Sequence, residues 1–125
     1  MNFYTIVTMN IQNKTSSEVL EKHACLCKAM ANPNRIAIVE LLSEGERNVG
    51  DIAEYLGLSV STTSQHLKPL RDTSVVTTRK EGQTVYYALK YPRLFDACLI
   101  IRSVLLEEMK DSGKVATRVD VSTKV

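Results

Sequence analysis

Residues 48–72 read NVGDIAEYLGLSVSTTSQHLKPLRD, and this stretch decides the fold. Asn48 is a good helix N-cap, with Asp51 at the third helical position. Val49, Ile52, Ala53 and Leu56 recur at i, i+3, i+4 and i+7, an apolar stripe along one helix face. Gly57 ends that helix. Ser59 caps a second one, in which Leu67 and Leu70 face inward. Two helices around a short glycine-containing turn are the layout of a helix-turn-helix.

Upstream, Thr15-Ser16-Ser17-Glu18 fits a capping box, a hydroxyl followed three residues later by an acid. Val19, Leu20, His23, Cys27 and Met30 then recur at helical spacing, so a first helix is expected over about 16–31. Asn32-Pro33 ends it and opens the next, because asparagine caps well and proline suits the first helical position. Ile36, Ile38, Val39, Leu41 and Leu42 carry that helix toward Gly45, a C-terminal stop. Downstream, Val75–Lys80 and Thr84–Leu89 are β-prone runs around Glu81-Gly82-Gln83, which predicts a hairpin. Strand alternation sends one of Tyr86 and Tyr87 inward and the other outward. Pro92 opens a last helix to about Met109, with Leu94, Cys98, Ile101, Leu105 and Met109 along one side.

The sum is an α+β, mainly helical domain: about five helices and a β-hairpin, a winged helix-turn-helix spanning 15–110. Residues 1–14 read equally as a short strand or an unstructured arm, and 111–125 as a frayed tail. The 125 residues suffice for one domain with a modest core. At 44% hydrophobic and 24% charged, the composition is that of an ordinary soluble protein. No apolar run approaches the ~20 residues of a membrane span. The start, Met1-Asn2-Phe3-Tyr4-Thr5-Ile6-Val7, lacks the basic and apolar segments of a secretory signal. The protein is therefore expected in the cytoplasm, without a membrane partner.

Net charge is only +2, which says nothing by itself about nucleic acid. Its distribution says more. His66, Lys68, Arg71, Arg79 and Lys80 fall within fifteen positions, so a local positive face is expected. The fourth helix presents Ser61, Thr62, Ser64, Gln65, Lys68 and Arg71 away from its apolar positions. Hydroxyls and cations bond phosphate oxygens, which position a protein on DNA. Gln65 can pair with adenine, and Lys68 or Arg71 can donate to guanine or phosphate. Taken alone, such a face is more often a solvated helix surface. Pro69 inside this helix removes a hydrogen bond and is expected to kink it beyond the base-contacting turns.

Context changes the weighting. Ala29-Met30-Ala31-Asn32-Pro33-Asn34-Arg35-Ile36, Asp51-Ile52-Ala53 with Leu56-Gly57-Leu58-Ser59, Ser64-Gln65-His66-Leu67-Lys68-Pro69-Leu70-Arg71-Asp72, and Arg79-Lys80-Glu81-Gly82-Gln83-Thr84-Val85-Tyr86-Tyr87 together resemble the arsenic-repressor (ArsR/SmtB) family of winged-helix regulators. The resemblance covers roughly residues 18–106. No single piece is decisive, but their order and spacing are specific. It implies a transcriptional repressor, homodimeric through its first and last helices. Two recognition helices would enter successive major grooves of a double-stranded operator, an imperfect palindrome with half-sites about one turn apart. By the same resemblance, Ser61, Thr62, Ser64, Gln65 and His66 would read the groove. The hairpin tip around Lys80–Gln83 would touch backbone or minor groove, with Arg79 and Lys80 suited to phosphates. The chain departs from many relatives at Thr73-Ser74, where they carry a helix-ending glycine, so Ser74 is expected to take a left-handed conformation at some cost.

Members of this family often release DNA on binding a metal or metalloid or on reacting with an oxidant. Neither familiar metal site is legible here. The stretch Arg47-Asn48-Val49-Gly50-Asp51 has no Cys-x-Cys pair, and the last helix has Asp96 and Glu107-Glu108 but no histidine. What remains is Cys25, Cys27 and Cys98. Three cysteines are an odd number, which disfavours a paired disulfide framework. Three thiolates suit arsenite or another thiophilic metal. Yet residues i and i+2 lie about 200° apart on a helix, so Cys25 and Cys27 cannot both face one ion without local unwinding. His23 and Cys27, at i and i+4, with Cys98 would instead suit zinc. A redox or persulfide switch and simple core packing stand beside these readings. No glycine-rich phosphate loop, HExxH pair or nucleophile elbow supports an enzyme. A protein-interaction module would expose aromatic and apolar anchors on the fourth helix rather than hydroxyls and cations.

Overall fold

The computed structural model describes residues 15–113, and its elements begin and end where local chemistry dictates. Helix α1 runs Ser17–Met30, α2 Pro33–Leu42, α3 Val49–Leu56, α4 Val60–Asp72 and α5 Arg93–Asp111. Strands β1 (Arg47–Asn48), β2 (Val76–Glu81) and β3 (Thr84–Leu89) form an antiparallel sheet in the order β1-β3-β2. This is the expected winged helix-turn-helix, five helices and a hairpin. The arm expected over 1–14, and the tail beyond Gly113, lie outside the described residues.

The α1 cap falls one residue later than the sequence suggested. Ser16, not Thr15, accepts the Val19 amide at 3.3 Å. Glu18 then stands one position too early to reach back as a capping-box acid, and pairs instead with Lys22 at 3.7 Å. Asn32 caps α2 by accepting from the amides of Asn34 (2.8 Å) and Arg35 (3.3 Å), with Pro33 at the first turn. Asn48 caps α3 through the Asp51 amide at 2.8 Å, and Ser59 caps α4 through the Thr62 amide at 3.0 Å.

The turn between α3 and α4 hangs on Gly57, at φ 68°, where a Cβ would be strained. The end of α4 makes the same closure with a serine. Ser74 sits at φ 62°, its amide donating to Arg71 O at 3.1 Å, while the Val75 amide donates to Leu70 O at 2.8 Å. The left-handed serine anticipated from the sequence is therefore present. Pro69 is accommodated inside α4, which runs on for one more turn's worth of residues to Asp72.

Ile38, Val39, Ile52, Leu67, Leu70 and Val75 are essentially inaccessible, so α2, α3, α4 and the start of the hairpin share one core. Tyr87 packs against it, whereas Tyr86 lies under the Arg79 guanidinium, the division that alternation predicted. Two-residue β1 was not foreseen. It pairs Arg47 with Tyr87 and Asn48 with Tyr86, fastening the wing to the entrance of α3. In contrast, α5 has no buried residue at all. No described helix is long and apolar enough to cross a membrane.

Candidate nucleic-acid interface

Helix α4 owes its orientation to what it buries. Thr63, Leu67 and Leu70 point into the core, and the Thr63 hydroxyl donates to Ser59 O at 2.8 Å. The opposite face is left to solvent: Ser61, Ser64, Gln65, Lys68 and Arg71 are all exposed. Thr62 and His66 are half-buried. Thr62 belongs partly to the cap, since its Oγ1 lies 3.0 Å from Ser59 Oγ. His66 turns toward α2, with its Nε2 3.4 Å from Asn34 Nδ2.

Ser64, Lys68 and Arg71 recur at helical spacing and, with Asp72 and Tyr87, line a cleft of about 460 Å³ between α4 and the sheet. Lys68 is held along α4 by Asp72 at 2.9 Å. Both side chains are largely exposed, so this pair is weak and leaves the ammonium available to a stronger anion. On the wing, Lys80 is exposed near the end of β2 and Gln83 is exposed in the two-residue turn, where Gly82 takes φ 61°.

Arg79 differs from its neighbours. It is engaged by Glu46 and Glu81 and stacked over Tyr86 at 4.6 Å. Hydrogen bonds from Arg79 hold the Glu46 carboxyl below its usual range, and the two carboxylates hold the guanidinium above its own.

Two contributors were passed over in the sequence. Val60, at the first turn of α4, is 52% exposed, an apolar side chain among hydroxyls. Its position after the Ser59 cap was the available signal. Glu46 lies 33 residues from Arg79, so no local pattern announces the pair.

A second constellation lies between α1 and α5. These helices flank a groove of about 340 Å³ lined by His23, Cys27 and Cys98, with Leu26, Met30, Ile101 and other apolar side chains. Cys25 is not in it and faces solvent, as its two-residue offset from Cys27 requires. Burial pushes the Cys98 thiol up, with Arg102 pulling partly the other way. Among the described residues no three His, Cys, Asp or Glu side chains gather closely enough to hold a metal ion.

Residues 32–78, from the cap of α2 to the third residue of β2, match the family described as bacterial regulatory protein, arsR family. The nodulation protein NolR of Rhizobium meliloti is 42% identical over 88 residues, covering 70% of this chain and 72% of NolR. The chain belongs to the arsR family. The transcriptional activator HlyU of Vibrio cholerae is also similar, 44% identical over 81 residues, covering 65% of this chain and 73% of HlyU. The solved HlyU structure superposes with a TM-score of 0.64 at 37% identity, covering 71% of this chain and 97% of that one. A homodimeric winged helix-turn-helix DNA-binding domain from Mycobacterium bovis superposes with a TM-score of 0.68 at 32% identity, covering 77% of this chain and 94% of that domain. As an arsR-family member, this chain is a DNA-binding transcriptional regulator and not an enzyme.

Proposed function

We propose that the protein is a homodimeric repressor that lays its two α4 helices in successive major grooves of an imperfectly palindromic operator. The observation that carries this reading is the exposed face of α4: hydroxyls, an amide and two cations on a helix fixed by its buried side. Ser61, Thr62, Ser64, Gln65 and His66 lie toward its N-terminal half, the part that meets base edges in helix-turn-helix proteins. Val60 joins them as an apolar contact for a thymine methyl. Lys68 and Arg71 border the cleft toward the wing and suit the phosphate backbone, and Lys80 and Gln83 extend that contact along the hairpin.

Dimerisation has its own support. Ile100, Ile101, Val104 and Leu105 on α5, and Val19 and Leu20 on α1, are each more than half exposed. So many exposed apolar side chains on two helices fit an interface, and the M. bovis relative is homodimeric. Affinity for duplex DNA selected by this protein from a random-sequence pool, measured across salt concentrations, tests the reading. Affinity should fall steeply and linearly on logarithmic axes as counterions are released. Salt-insensitive binding, or failure to select any duplex, would leave a protein-interaction module instead.

The groove holding His23, Cys27 and Cys98 supports a further element, release from DNA by a thiophilic metal, a metalloid or a thiol-reactive inducer. A ligand there would press α1 against α5 and alter the separation of the two α4 helices. Coupling of about 1–3 kcal/mol is usual for such linkage, and DNA would weaken ligand binding by the same factor. Zinc would draw on His23, Cys27 and Cys98, which line one groove and would have to close on the ion, whereas a three-thiolate arsenite site would also need Cys25 to turn inward. Titrating the DNA complex with arsenite, cadmium, zinc and a persulfide donor separates these. No release by any of them, or release unchanged in Cys27→Ser/Cys98→Ser, would leave a repressor without a metal site.

A further inference from the structure

A cation on the wing of a DNA-binding domain would ordinarily face a phosphate, but Arg79 is directed elsewhere. Its Nε donates to both Glu46 carboxylate oxygens, at 3.0 and 3.2 Å, and its Nη2 donates to Glu46 Oε1. Its Nη1 donates to Glu81 Oε2 at 2.6 Å. One face of the guanidinium covers the ring of Tyr86, its cross-strand partner. Each of the three nitrogens thus donates to a carboxylate, and one face is covered. One cation between two carboxylates leaves the cluster net negative, which repels a phosphate rather than attracting it.

We propose that Arg79 is a positioning residue: with Glu46, Glu81 and Tyr86 it clamps the wing to the segment entering β1, and leaves the wing's phosphate contact to Lys80. The connectivity supports this. Glu46 immediately precedes β1, whose Asn48 both pairs with Tyr86 and caps α3. The clamp and β1 therefore tie the hairpin at two neighbouring points to the helix-turn-helix, fixing the angle between wing and α4. All three charged side chains are 40% or more exposed, so as an ion-pair cluster they contribute little to folding stability. Their effect is expected in wing orientation, and hence in DNA affinity.

The inference rests on the DNA-binding reading above, and one experiment distinguishes the two. Wild type, Arg79→Gln, Glu46→Gln, the double variant, Arg79→Lys and Lys80→Gln are each bound, across salt concentrations, to a duplex selected by the wild-type protein from a random pool. Thermal unfolding is followed on the same samples. Either clamp variant should bind several-fold more weakly, the double variant no more weakly than either single, with unfolding and salt slope as in wild type. Arg79→Lys should not restore affinity, because an ammonium lacks the planar fork. Lys80→Gln should flatten the salt slope by about 0.9 for each phosphate that position 80 ceases to neutralise. The clamp is overturned if Arg79→Gln flattens the slope, if Glu46→Gln binds more tightly than wild type, if lysine rescues position 79, or if the clamp variants bind like wild type. Absence of wild-type binding to every duplex overturns the DNA reading, and the clamp's role with it.

Discussion

Replacing Ser74 by glycine should stabilise this protein. Ser74 holds φ 62° so that its own amide and that of Val75 can close α4 on Arg71 O and Leu70 O. A side chain in that conformation costs about 1–2 kcal/mol through the contact of its Cβ with the carbonyl. Ser74 Oγ makes no hydrogen bond among the described residues that would offset this. Glycine removes the strain but adds backbone freedom to the unfolded chain, which costs about 0.4–1 kcal/mol. At the middle of these ranges the net gain is about 0.8 kcal/mol, which for a domain of this size raises Tm by roughly 3–6 °C. Thermal unfolding of Ser74→Gly beside wild type measures it. Ser74→Val is the counterpart and should lower Tm, because a β-branched residue is an outlier at positive φ. If glycine left Tm unchanged or lowered it, the serine would not be strained, and α4 would be closed by something other than the two hydrogen bonds described.

Other expectations follow from the same geometry. Leu67→Ala removes a side chain only 1% exposed from beneath the reading face and should cost about 2–5 kcal/mol, weakening DNA binding through the fold rather than through contact; denaturant unfolding reports it. Asn48→Ala deletes the α3 cap and should cost about 1 kcal/mol, while Asn48→Asp should retain most of the stability; equal losses would refute the capping role. Val60 should register as one thymine whose replacement by deoxyuridine, which lacks the methyl, weakens wild-type binding by about 0.8 kcal/mol, about fourfold, and leaves Val60→Ala unaffected. Burial holds the Cys98 thiol protonated past the usual thiol range, so its alkylation near neutral pH should be slower than that of a free cysteine peptide, and should accelerate as pH rises through its elevated pKa; mass-spectrometric labelling rates decide.

Much of this fold was legible because its signals are local. The stripe through Val49, Ile52 and Leu56, the caps Asn32, Asn48 and Ser59, and the turn at Gly82 each act within a few residues, and each is where spacing placed it. Even the left-handed Ser74 could be inferred, from a glycine that is missing. The Thr15 cap was misplaced because three adjacent hydroxyls compete, and it is the Ser16 Oγ that the Val19 amide reaches. Strand β1 escaped notice for a different reason. Two residues carry no periodicity, and Arg47-Asn48 becomes a strand only because β3 passes beside it. The interface divides in the same way. The polar face of α4 is a helical pattern and reads directly, whereas the engagement of Arg79 by Glu46 depends on a fold that joins residues 33 positions apart. The cysteines fall between: helix geometry separated Cys25 from Cys27, but only packing brings Cys98 into the groove with Cys27.

The bare flank of α5 has one more consequence. Its own protomer holds this nineteen-residue helix through the half-buried Leu94, Phe95 and Cys98 and the Arg102–Glu40 pair, while Ile100, Ile101, Val104 and Leu105 stay open. In the proposed dimer the partner covers that open flank, so assembly adds to the stability of the helix and apparent stability rises with protomer concentration. The abundance of such a regulator then sets more than operator occupancy. Dilution would release DNA, separate the protomers and loosen α5 in the same step, so a cell holding few copies would hold few intact ones.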